Sequence, residues 1–143
     1  MRSTAAKTPF GDLTSTLIAP GVVLTTMAGY VSAELTRTRI ETFRRLLTNV
    51  TDPVWVMNTL ELSGFQPTAV EAGSEWFKRF KEQGGKKVVF ISKLSSARMV
   101  AATLGFAVRV PVTTFDRMDR AFDHLGIPPP ARTAQRLRRV AAR

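Results

Sequence analysis

The stretch from Val54 to Ile91, VWVMNTLELSGFQPTAVEAGSEWFKRFKEQGGKKVVFI, decides the fold class. It opens on VWVM (Val54–Met57) and closes on VVFI (Val88–Ile91). Both are short continuous apolar runs rich in valine, which read as strands covered on both faces. Between them, Pro67 suits a first helical turn, and Thr68 with Glu71 has the spacing of a capping box. Val70, Gly73, Trp76, Phe77 and Phe80 then line one helical face, with Lys78, Arg79, Lys81 and Glu82 opposite. Gly84-Gly85 supplies the stop. Strand, helix and strand in this order make a crossover unit, which joins parallel neighbours.

Toward the N-terminus, Leu13–Ala19 and Val22–Met27 are apolar runs separated by Pro20-Gly21, the pattern of an antiparallel hairpin. Gly29 breaks the second run. Ser32 then caps a helix over about 32–47, with Leu35, Ile40, Phe43, Leu46 and Leu47 on its apolar side. Residues 1–12 read as a flexible leader.

Toward the C-terminus, Ser95 or Ser96 opens a helix that Gly105 closes, and Phe106–Val112 alternates like an edge strand, where Pro111 also belongs. Thr113 with Asp116 caps a last helix striped by Phe115, Met118, Phe122 and Leu125. Gly126 and Pro128-Pro129-Pro130 end it. Beyond them Ala134, Leu137 and Ala141 share one side of a predicted basic helix. The expected fold is α/β: a mostly parallel central sheet with an N-terminal antiparallel hairpin, about four helices, and a C-terminal basic helix. Residues 13–127 form its domain and 128–143 its tail. An uncovered edge of such a sheet leaves pairing with a second copy, and so a homo-oligomer, open.

The chain has 143 residues, the size of one domain, and 44% of them are hydrophobic, enough for a core without metal or crosslinks. It contains no cysteine, which removes disulfides, thiol nucleophiles and cysteine-ligated metal centres. No apolar run is long enough for a transmembrane helix, and the N-terminus is a poor secretory signal, so a cytoplasmic location is expected. The net charge of +10 is concentrated at the end: Arg132, Arg136, Arg138, Arg139 and Arg143 stand in a stretch without acids. Such a tail suits a nucleic acid, an anionic lipid surface or an acidic protein, although arginines that merely keep it solvated fit equally.

The order of elements, with VVLTTMAGYVSAEL, VWVM, VVFI and the final TTFDRMDRAFDHL, resembles the STAS domain. That is the fold of bacterial anti-sigma factor antagonists and of the wider group of small STAS-like, CRAL-TRIO-related bacterial proteins. The resemblance runs from about Pro20 to Gly126. It implies a non-enzymatic regulatory module that binds a protein partner and needs no cofactor. In the antagonists a serine at the start of the second long helix, within Asp-Ser-Ser/Thr-Gly, is phosphorylated by the partner kinase to break the complex. Here those positions read Gln66-Pro67-Thr68-Ala69, so the usual switch is gone. Gln66, Thr68, Ala69 and Glu71 become the partner-binding or switch candidates. Thr68 could carry a phosphate at a helix N-terminus, but a capping role accounts for it as well.

Catalytic chemistry finds little support. His124 is the only histidine and falls on a polar helix face, which excludes a histidine-rich metal site. Gly84-Gly85-Lys86-Lys87 lies between helix and strand, the reverse of a phosphate loop. Trp55, Trp76, Phe77 and Phe80 have the spacing of core residues. A small-molecule or lipid-carrier role rests on fold analogy alone.

Overall fold

The computed structural model describes residues 3–7, 11–41 and 43–129. One six-stranded sheet follows chain order: β1 (Ser3–Lys7), β2 (Gly11–Ala19), β3 (Val22–Val31), β4 (Val54–Phe65), β5 (Lys87–Ile91) and β6 (Val112–Phe115). The first three strands are antiparallel and β3 to β6 are parallel. The helices are α1 (Ala33–Glu41), the short α2 (Phe43–Leu46), α3 (Thr68–Glu82), α4 (Ser95–Ala107) and α5 (Met118–Leu125). With α1 and α2 filling the first predicted helix, the expected α/β architecture is the observed one. The predicted tail helix and its five arginines lie outside the described residues.

The apolar strands are continuous because each serves two cores. Trp55 and Met57 pack with Trp76, Phe77, Phe80, Val23 and Val88 on one face. Val56, between them, points the other way with Leu24, Val89, Ile91, Met118 and Phe122. Period-two alternation therefore exists but is hidden, since both sides of the pleat are covered. The aromatic cluster is the densest part. Trp76 stacks on Phe80 at 5.1 Å and meets Trp55 and Phe77 edge-on at 5.3 and 5.2 Å. The polar edge of Trp55 is also satisfied, its indole N–H donating to Thr25 Oγ1 at 2.7 Å. Thr25 and Ser15 share a further buried hydrogen bond of 2.8 Å, so polar groups tie β2, β3 and β4 through the core.

Several expected boundaries are corrected. Ser3–Lys7, placed in the leader, pair with β2, and Ser3 Oγ lies 3.0 Å from Thr16 Oγ1. An edge strand held by its ladder needs no apolar pattern, so none announces it. Gly29 does not end β3. It sits at φ 77° beside a register shift, and the strand runs on to Val31. Likewise β4 continues eight residues past VWVM to Phe65. Gly105 does not close α4: it lies inside the helix, buried, and the chain turns at Val108 and Arg109, the latter at φ 60°. Phe106, assigned to a strand, is helical and 87% exposed. Thr113 is a β6 residue paired with Val89, not a cap, and the position before α5 belongs to Arg117. Asp116 forms an exposed ion pair with Arg120 instead of capping. Of the stripe expected for α5, Met118 and Phe122 are buried and Leu125 is half-buried on the helix, whereas Phe115 is the last residue of β6.

Candidate functional site

The surface singled out in the sequence is the junction where β4 runs into α3. Phe65, Gln66, Pro67 and Thr68 are consecutive exposed residues. They are nonetheless anchored. The Gln66 amide donates to Val31 O at 2.9 Å, and its Oε1 accepts the Ala33 amide at 3.1 Å, so Gln66 serves the first turn of α1. The Ala69 and Val70 amides bond back to Gln66 O and Pro67 O.

The capping box is absent. Pro67 holds the cap position in a helical conformation, which presets the first turn, and no side chain caps α3. The Thr68 hydroxyl instead points to Gln66 Oε1 at 3.4 Å. The true side-chain cap is at the neighbouring helix, where Ser32 Oγ accepts the Leu35 amide at 3.1 Å as its position predicts. Of the four candidates, Gln66, Thr68 and Glu71 are exposed together at the junction, and Ala69 is buried against Val31 and Leu35. His124 is exposed on α5, across the sheet, with its ring 5.3 Å from Phe115. Among the described residues no cluster of acids and histidine converges as a metal site, and no helix is long and apolar enough to cross a membrane.

Sequence reading missed a cavity of about 380 Å³ that opens next to the junction. It forms because β5 gives out at Ile91, opposite Asn58, while β4 continues to Phe65 alongside β3 alone. α3 and α4 close over this overhang with Val70, Phe77, Ala97 and Leu104, and Met57 and Leu62 line it from the sheet. Three of the four hydroxyls in its wall, all but that of Ser63, bond the backbone. Thr59 donates to Ile91 O at 2.6 Å and Thr36 to Ser32 O at 3.2 Å, and Ser92 Oγ accepts the Leu94 amide at 3.2 Å. Lys93 is the one ionisable residue among those that line it. The available signal was the alternation of Leu60 and Leu62 beyond VWVM, together with Leu94, Val100 and Leu104 around α4.

An uncharacterized protein of the DUF3478 family from Shewanella loihica PV-4, described as having a SpoIIAA-like fold, superposes with a TM-score of 0.62 at 12% identity over 84% of this chain and 97% of its own. This chain has a SpoIIAA-like fold. The anti-sigma factor antagonist SpoIIAA in its unphosphorylated form gives a TM-score of 0.54 at 15% identity, over 82% of this chain and 99% of that one. The phosphorylated form of SpoIIAA, a Bacillus cell fate determinant, gives 0.56 at 16% identity, over 79% and 98%. No protein-family model matches the sequence, and no curated protein sequence matches it. At these identities the SpoIIAA-like likeness concerns the path of the backbone, and the STAS resemblance is thereby established as one of fold.

Proposed function

We propose that the chain is a non-enzymatic, cytoplasmic regulatory module that docks a protein partner on the β4–α3 junction and lacks the usual phosphoserine switch. The observation that carries this reading is the pinned, exposed run Phe65–Thr68. A surface held in place before binding loses little entropy on docking, and an aromatic there, Phe65 at 41% exposure, supplies an anchor. SpoIIAA, named as an anti-sigma factor antagonist, has the same fold, which supports a regulatory partner without identifying it. Counted back from Gly84 under the family resemblance, Pro67 falls where the antagonists carry the modified serine, and proline has no group to phosphorylate.

The test is retention of a stoichiometric protein from native lysate by the wild type and by Phe65→Asp and Thr68→Glu. Phe65→Asp is expected to weaken capture about 30-fold, as loss of an interface anchor does, with the circular dichroism spectrum unchanged. Undiminished capture by both folded variants would remove the junction from consideration. Full capture by Thr68→Glu alone would exclude a phosphate switch there.

A second reading is favoured by the charge of the tail. Arg132, Arg136, Arg138, Arg139 and Arg143 would bind phosphates without reading sequence, because no groove-reading motif or interleaved aromatic accompanies them. Binding to duplex DNA should then fall with salt at a slope of about −0.9 per phosphate neutralised, and deletion of residues 131–143 should abolish it. A truncated chain that binds DNA at wild-type strength and salt slope would refute the tail's role.

A further inference from the structure

We propose that the cavity beside the β4–α3 junction binds a free single-chain carboxylate of the fatty-acid class, with its tail among the apolar residues and its carboxylate at Lys93. The inference is argued from the cavity and needs no partner, although Phe65 of the proposed docking surface also lines it.

Three observations support it. The volume, about 380 Å³, falls in the range of small-molecule sites of roughly 300–1,000 Å³. The interior offers little polar recognition: Thr36 and Thr59 donate their hydroxyls to the backbone, Ser92 Oγ accepts from it, and the remaining lining hydroxyl belongs to the exposed Ser63. An apolar tail therefore fits where a sugar or nucleotide would leave its own polar groups unsatisfied. The charge is one-sided: Lys93 is exposed, lines the cavity, and has no acid among the other lining residues to compete for it. Leu94 and Val100, 55% and 36% exposed, also line the cavity and extend the apolar surface outward for the tail. The occupant is thus an amphiphile carrying a single negative charge.

The full-length chain is titrated calorimetrically with hexanoate, octanoate and decanoate below their micelle concentrations. Affinity is expected to rise about tenfold for each pair of methylenes added, until the tail outgrows the cavity. Lys93→Ala should weaken decanoate about two- to fivefold and leave decanol unchanged, because the alcohol presents no charge. Ala97→Phe, which fills the space between α3 and α4, should abolish binding of both. Absence of binding by every alkanoate, or an affinity indifferent to chain length, overturns the proposal. This series uses only the wild type, so it decides even if Ala97→Phe fails to fold. Equal losses for decanoate and decanol in Lys93→Ala overturn the charge assignment. Failure of all alkanoates, with partner capture that depends on Phe65, assigns the cavity to a partner's side chain instead.

Discussion

The Trp76→Ala variant is expected to lose about 3–5 kcal/mol of folding stability, the usual cost of removing a fully buried large aromatic. A small domain has only about 5–15 kcal/mol in total, so the variant approaches the limit of folding. The magnitude follows from what surrounds the ring. Trp76 is 0% exposed and contacts Trp55, Phe77 and Phe80, each with a ring centroid within 5.3 Å. None of those neighbours can move into the space without giving up its own place against the sheet, so most of the cavity persists. Urea unfolding followed by far-ultraviolet circular dichroism measures the loss as a lower midpoint at constant slope. Phe106→Ala is the control. It removes an equally apolar aromatic from a helix, but at 87% exposure the change should stay within about 0.5 kcal/mol. Similar losses in the two variants would contradict the packing described.

Gly105→Val is expected to destabilise the chain by about 3 kcal/mol, the upper part of the usual range for overpacking. A Cβ at position 105 would lie 2.7 Å from the carbonyl oxygen of Val110 and would overlap the Val112 side chain. The obstruction includes backbone. It is held there by the Val110 amide, which donates to Gly105 O at 2.9 Å, so it cannot swing aside as a side-chain tip would. The turn from α4 into β6 must open to admit any larger residue. Gly73, inside α3, provides the contrast. A Cβ there meets only the flexible Cδ1 of Leu104 at 3.4 Å. Gly73→Ala should therefore gain about 0.5–1 kcal/mol from helix propensity. Thermal unfolding of the two variants gives shifts of opposite sign if this packing is right. A neutral Gly105→Val would show that α4 and β6 do not approach as closely as described.

These two glycines show why part of the molecule is not legible from residues in order. Glycine can end a helix or allow two backbones to meet, and pattern alone does not separate the uses. Reading Gly105 as a stop displaced everything after it: Phe106 became a strand residue and Thr113 a cap. The site shows the same division. That Pro67 opens α3 is visible in the sequence, because proline suits a first helical turn. That Gln66 accepts the first amide of α1, beside the Ser32 cap, is not visible, because its partner amide at Ala33 is 33 residues away.

By itself the sequence determined the α/β class, the hairpin, the parallel order and the core positions Trp55, Trp76, Phe77 and Phe80. These follow from apolar periodicity and turn chemistry, which act over a few neighbouring residues. Tertiary structure alone decided that Ser3–Lys7 join the sheet, that β4 outruns β5, and that α3 and α4 leave a cavity over the overhang. Each depends on how far one strand extends past another, and strand registers are set by contacts between residues remote in the chain.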